Sequence, residues 1–236
     1  MPVIDIIITA FCLFFAVIIH EIAHGFAALM CGDTTARDAG RLTLNPIRHI
    51  DPVGTVVLPA ILAHAGSKVM LGWAKPVPIN IFRTRNPRRS LWLIAVAGPA
   101  SNFLQAALAL FLAFLTSFIF RKAGGISLFE YEGALYTSNP GFMFDAMFFI
   151  CGKFFFSCFI VNLMLMAFNL IPVPPLDGSR VVTALLPPKA AEVYLGIERY
   201  GFIIIFALLY FNILDIILNP IMSGGMYLFY KIAFGI

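Results

Sequence analysis

Long apolar runs, broken by short polar and proline-containing connections, dominate the chain. Four of them, roughly residues 6–31, 91–119, 143–171 and 201–218, reach or approach the about 20 mostly apolar residues that carry a helix across a bilayer. Two further runs, 53–65 and 221–236, are ambiguous. The first is short for a crossing and contains Pro59; the second follows Pro220 and contains Gly224 and Gly225. The pattern predicts an all-α polytopic membrane protein with four to six transmembrane helices.

The placement of cations decides how 53–65 is read. Arg37, Arg41 and Arg48 precede it, and Lys68, Lys75, Arg83, Arg85, Arg88 and Arg89 follow it. Basic flanks belong on the cytoplasmic side of a membrane. A segment that enters and leaves by that face satisfies both flanks, so a re-entrant segment is expected here. Irregular backbone at membrane depth needs shielding by protein or a water-filled cavity. The first span then runs inward, 91–119 outward and 143–171 inward, leaving the 120–142 loop outside. Arg180, Lys189 and Arg199 return to the cytoplasmic face.

Composition agrees with this reading. Hydrophobic residues make up 61% of the chain and charged residues 12%, against about a quarter charged in a soluble domain. The net charge of +4 is assigned to loop cations facing anionic lipid and not to nucleic acid. Cys12, Cys31, Cys151 and Cys158 lie in or beside apolar stretches without a C-x-x-C pair and are read as buried thiols. The connections are too short for a folded soluble module. The expectation is one integral-membrane domain over 1–236, with a core of about 6–185 and C-terminal helices of about 199–236.

One motif in the first span carries chemistry. In His20-Glu21-Ile22-Ala23-His24 the histidines are four residues apart and share a helical face. Both imidazoles can bind one Zn²⁺ while Glu21 stands ready as general base. Three ionisable groups in one turn of an apolar helix are costly unless paired or metal-bound. A helix end that has simply left the membrane is the plainer alternative, but the apolar residues Phe26 to Cys31 continue the run. A hydrolytic zinc site needs a third protein ligand. His49 and His64 are possible, and Asp33, Asp38 and Asp51 are expected to be solvated in a polar loop. Asp177 is favoured, because Asn169-Leu-Ile-Pro-Val-Pro-Pro-Leu-Asp177-Gly178 sets a carboxylate in proline-broken backbone just past a span, as sites in membranes often do.

The H-E-x-x-H in a span, the distant N-x-x-P-x-P-x-L-D-G and the element Gly98-Pro99-Ala100-Ser101-Asn102 together resemble the site-2 protease family of intramembrane zinc metallopeptidases. The resemblance extends from about residue 10 to 185. It implies that His20, His24 and Asp177 are zinc ligands, that Glu21 is the general base, and that Asn169 holds the substrate backbone or the oxyanion. It also implies intramembrane proteolysis of a membrane-embedded protein substrate, such as a single-span regulator. The implied setting is a prokaryotic cytoplasmic membrane with the active site towards the cytoplasm. The form expected is compact, without a PDZ or CBS domain.

Accessory features are expected around this core. The prolines of Gly72-Trp73-Ala74-Lys75-Pro76-Val77-Pro78-Ile79-Asn80 disfavour helix and suggest a short extended strand or hairpin. Such a strand, with Trp73, Lys75 and Pro76 as accessory residues, could receive an unwound substrate by strand addition. Gly98 and Pro99 are expected to allow close helix approach and Asn102 to bond across an interface. Lys153 is expected to snorkel or to start its span. A metal-ion transporter and an inactive helix-binding scaffold are the competing readings, and Glu21 separates them: only a general base makes that carboxylate essential to turnover but not to metal binding.

Overall fold

The computed structural model describes residues 3–57, 61, 64, 74–124, 128–131, 134–137 and 143–235. Trp73 and residues 58–60, 62, 63 and 65 of the 53–65 segment lie outside these. The described residues form helices α1 (Val3–Met30), α2 (Thr35–Asp38), α3 (Pro87–Gly124), α4 (Met143–Asn169), α5 (Asp177–Leu185), α6 (Pro188–Leu195), α7 (Gly201–Tyr210) and α8 (Ile213–Phe234). Among the described residues, five helical stretches are long and apolar enough to cross a membrane: Val3–Met30, Pro87–Ile119, Ile150–Asn169, Pro188–Tyr210 and Ile213–Phe234. Large apolar side chains such as Ile7, Phe11, Phe103, Leu104, Phe202 and Ile216 are exposed along them, as a lipid solvent requires. The chain is an integral membrane protein.

The C-terminal boundaries differ from those expected. The run 201–218 is split at Asn212, whose φ of 55° is left-handed, a conformation that Asn tolerates better than most residues. The residues up to Phe234 then form one helix, with Pro220 inside it. The one described sheet also lies elsewhere than expected. It is an antiparallel hairpin of β1 (Leu128–Tyr131) and β2 (Ala134–Thr137), with Leu128 opposite Thr137. Residues 74–80 enter no strand pairing among the described residues; their backbone is held by other means.

The chain divides into two compact units. The first comprises Met1–Ala16, Asn102–Asn169 and Phe202–Ile236. Its core sets Ala106, Ala109 and Ala113 of α3 with Phe159 of α4 and Phe229, Ala233 and Phe234 of α8. Lipid tails are as apolar as these side chains, so hydrophobicity alone does not hold such helices together; small residues and polar pairs do. Asn102 is fully buried and its amide donates to Asn162 Oδ1 at 2.8 Å. Lys153 forms an ion pair with Asp5 at 2.6 Å, which anchors it more specifically than snorkelling would. The Cys12 and Cys158 thiols touch at 2.9 Å as free cysteines.

The second unit comprises Val17–Ser101 and Leu170–Gly201. Its loops are built by two glycine-terminated helix ends. At the end of α1, Gly32 takes a φ of 107°, with Gly32 N–H donating to Leu29 O and Asp33 N–H to Ala28 O. At the end of α2, Gly40 takes a φ of 63°, with Gly40 N–H donating to Arg37 O and Arg41 N–H to Ala36 O. Both are Schellman motifs, which need the left-handed residue that glycine supplies without strain. Each delivers a charged residue, Asp33 or Arg41, to a buried position.

Candidate metal centre

Helix α1 brings His20 and His24 onto one face, with their Nε2 atoms 3.0 Å apart. Asp177, the first residue of α5, places Oδ2 3.1 Å from His20 Nε2 and 3.2 Å from His24 Nε2. All three residues are buried. They form a group able to hold a metal ion, the only such group of three among the described residues. Zn–N and Zn–O bonds of about 2.0–2.1 Å at tetrahedral angles set neighbouring donor atoms about 3.3 Å apart. The observed triangle lies close to that size, so the donor set fits zinc.

Each donor is oriented by its surroundings. His24 Nδ1 lies 2.6 Å from the carbonyl oxygen of Ile94. A carbonyl only accepts, so Nδ1 carries the proton and Nε2 presents its lone pair to the centre, the usual way a metal-binding tautomer is fixed. Asp177 binds a metal as its carboxylate anion.

Two glycines make room for this geometry. A Cβ at Gly98 would lie 2.5 Å from His20 Cε1, 2.6 Å from His20 Nε2 and closer still to His24 Nε2. Only glycine lets α3 approach the imidazoles, as expected of the Gly98-Pro99 element. A Cβ at Gly178 would lie 2.6 Å from Ile171 O and closer to Leu170 O, so glycine lets α5 begin against the chain that leads into it. At the far end of α5, Arg88 donates through Nε to Ala184 O at 2.6 Å and through Nη2 to Leu185 O and Leu186 O at 3.0 and 2.8 Å.

Glu21, between the histidines, accepts the backbone N–H of Val77 at Oε2, 2.9 Å away. Lys75 and Pro76 are exposed in the same segment; the Lys75 N–H donates to His49 O at 2.9 Å and its carbonyl accepts from Arg41 Nη2 at 2.6 Å. His49, weighed above as a ligand, is fully buried with Nε2 2.8 Å from Thr43 O and belongs to the loop framework. His64 is exposed. Asn169, the last residue of α4, is half-buried and donates its amide to Leu165 O at 3.0 Å within its own helix.

Asp33 departs from expectation: it is fully buried and not solvated. Its Oδ1 accepts from Thr35 N and Thr35 Oγ1 at 3.0 and 2.5 Å, and its Oδ2 from Asn80 N at 2.6 Å. Burial pushes its pKa up, and these hydrogen bonds, with the Arg83 charge, more than offset that and lower it. Asp38, by contrast, is exposed and paired with Arg37 at 3.0 Å. Nothing in the local sequence marks Val77 or Arg88, whose contributions depend on partners 56 and 96 residues away.

Two buried histidines and a glutamate on a membrane-spanning helix, met by a buried carboxylate on a short one, are the donor set of a metal-dependent hydrolase of the membrane. A family model described as peptidase family M50 matches residues 8–210, and the chain belongs to that family. A protein of Bacillus subtilis (strain 168) named "Putative zinc metalloprotease YwhC" is 37% identical over 207 residues, which is 87% of this chain and 81% of the relative. Two proteins that carry the same zinc-metalloprotease title under the name Rip2 are more distant. That of Mycolicibacterium smegmatis is 25% identical over 191 residues and that of Mycobacterium tuberculosis (strain H37Rv) 24% over 190. The chain spans 62% and 61% of their lengths. No solved structure matches the chain. The protein is a zinc metalloendopeptidase, and Zn²⁺ is its cofactor.

Proposed function

We propose that His20, His24 and Asp177 hold the zinc, that Glu21 is the general base, and that the substrate is a membrane-embedded helix cut towards the cytoplasmic side. The observation that carries this reading is the triangle of buried donor atoms 3.0–3.2 Å apart, with Glu21 on the same helical turn. Zinc bound there supplies Lewis acidity, lowering the pKa of water and polarising a peptide carbonyl. Glu21 takes the proton of the attacking water and passes it to the leaving amine. Its Oε2 is engaged by Val77 N–H, which assigns the proton to Oε1.

Water is scarce in a bilayer, and a substrate helix hides its carbonyls in its own hydrogen bonds. The basic flanks of 53–65, which the positive-inside rule sets on the cytoplasmic side, and the exposed chain at Lys75 and Pro76 support the view that a partly unwound substrate pairs beside 74–80. Asn169 is assigned to the substrate backbone or the oxyanion. That role requires its amide to exchange Leu165 O for the substrate.

The test is zinc per chain in purified, metal-replete wild type, His20→Ala, Asp177→Ala and Glu21→Gln, together with cleavage of a single-span peptide in proteoliposomes. About one zinc in wild type and in Glu21→Gln, lost from the other two, with cleavage only in wild type, is expected for three ligands plus a base. Zinc retained by Asp177→Ala would move the third ligand elsewhere. Cleavage by Glu21→Gln would remove the base assignment.

A further inference from the structure

Among the described residues, three ionisable side chains of the second unit are buried outside the metal centre: Asp33, Arg41 and His49. Burying charge is expensive unless its hydrogen bonds accomplish something. Here they converge on one short stretch of backbone. His49 O accepts from Lys75 N, Arg41 Nη2 donates to Lys75 O, and Asp33 Oδ2 accepts from Asn80 N. The stretch between those anchors is Pro76-Val77-Pro78. Each proline locks its own φ and keeps the residue before it extended, so little slack remains. Val77 carries the N–H between these two prolines, and it points at Glu21 Oε2. Its side chain is buried as well, seated over Gly25, where a Cβ would come within 2.8 Å of Val77 Cγ1 and 2.7 Å of Leu42 Cδ2. Gly25 lies one helical turn beyond Glu21. The same turn of α1 therefore receives both the amide and the side chain of Val77.

We infer that Asp33 and Arg41 are positioning residues for catalysis: through the backbone of 75–80 they fix the Val77 N–H against Glu21 Oε2 and so set where the general base stands. The inference rests on Glu21 being that base, and it assigns a purpose to burial that the metal does not need. One carboxylate oxygen is held by a rigid amide, so the reach of the other is set by where that amide stands. A glutamate on a helix otherwise has three rotatable bonds with which to leave that position. The depressed pKa of Asp33 agrees with an anion that stays charged while holding the Asn80 amide.

The test uses the zinc-loaded full chain in proteoliposomes and three changes at one residue. Val77→Pro deletes the N–H and keeps the backbone extended. The α-hydroxy acid analogue of valine at position 77 turns the amide into an ester and keeps every side-chain atom, so it serves if the proline variant misfolds. Val77→Ala keeps the N–H and trims the side chain. Isotope-edited infrared spectra with labelled glutamate report the Glu21 carboxylate band, identified as the one lost in Glu21→Gln.

The band is expected to shift in the proline and ester variants and to stay in place in Val77→Ala. Turnover of a fluorogenic single-span peptide should fall in kcat by about 10- to 100-fold, the usual size of one lost hydrogen bond to a charged group. KM should stay within about twofold and zinc content should equal that of wild type. Asp33→Ala should move the band and kcat in the same direction, by less. An unmoved band in the ester variant, an alanine variant as impaired as the proline one, or zinc lost along with activity would each overturn the inference. Wild-type turnover in Glu21→Gln would instead remove the base assignment on which it rests, a separate failure.

Discussion

Gly98→Ala is a one-carbon test of how closely α3 approaches the metal centre. The added Cβ would lie 2.6 Å from His20 Nε2 and nearer still to His24 Nε2, where ordinary contact begins at 3.4 Å, so something must yield by at least 0.8 Å (3.4 less 2.6). Metal–ligand distances tolerate about 0.2 Å, a quarter of that displacement. If α3 retreats, the strain of an overpacked site costs about 1–3 kcal/mol, and the Ile94 carbonyl that holds His24 Nδ1 moves with it. If the imidazoles turn instead, the donor triangle opens. Disturbing a group that merely orients a ligand costs about 10- to 100-fold in affinity. This change strikes the ligands themselves, so a loss of about 100-fold, or about 2.8 kcal/mol, is expected. Helix stability works in the other direction, since alanine is favoured over glycine in a helix interior by about 1 kcal/mol. The variant should therefore fold and lose zinc. Competition for zinc against a chromophoric chelator measures this, with Gly224→Ala as the control, because a Cβ there meets nothing within 4 Å. Zinc affinity within about threefold of wild type would refute the close approach.

Other changes probe the loops and the first unit. Gly178→Ala drives a Cβ into the Leu170 and Ile171 carbonyls and should lower zinc affinity by displacing Asp177, at least about tenfold on the same assay. Replacing either Asn102 or Asn162 with Leu removes the 2.8 Å hydrogen bond between their buried amides, at a cost of about 1–2 kcal/mol. The double variant should cost less than the sum when unfolding is followed in micelles. Asp33 has a folded pKa below its model-peptide value of 3.8, so its stabilisation is fully present above the unfolded pKa and is lost as pH falls through the folded one. Stability of wild type should thus decline below about pH 4 more steeply than that of Asp33→Asn, which starts lower at neutral pH; parallel curves would remove Asp33 from the account.

What could be read from the chain follows the range of the interaction concerned. The i, i+4 spacing of His20 and His24 is a property of any helix, so half of the metal centre is local information. Asp177 was reachable because prolines break backbone where a span has just ended. The same locality explains the errors. Asp33 follows a glycine in a polar loop and looks solvated, yet its burial is decided by the Asn80 amide, 47 residues on. Lys153 stands near the start of the Ile150–Asn169 stretch, as its position suggests; what the sequence does not show is its partner Asp5, 148 residues away. The sequence divides the C-terminal run at Pro220 because proline is the stronger break signal. Pro220 stays inside α8, while Asn212, a weaker signal, carries the left-handed turn. Gly32 and Gly40 were the missed clue: a glycine at each helix end announces a Schellman cap, and the residue after it has a fixed direction.

That clue bears on how such a site can be assembled at all. Two candidate ligands on one rigid helix leave no adjustment between them, so all tolerance must come from what is brought up to that helix. Asp177 arrives on a short helix secured at both ends, by Gly178 against the Leu170 and Ile171 carbonyls and by Arg88 on the Ala184, Leu185 and Leu186 carbonyls. Val77 arrives on a proline-stiffened segment tied down by Asp33, Arg41 and His49. Ile94 arrives on a helix whose approach is set by the missing side chain of Gly98. In each case the residue nearest the chemistry is held by backbone atoms and by glycine or proline, groups with few rotatable bonds to lose on ordering. Loops of a membrane protein cannot draw on a large hydrophobic core for rigidity. Buried charges outside the metal centre, costly as they are, supply it instead.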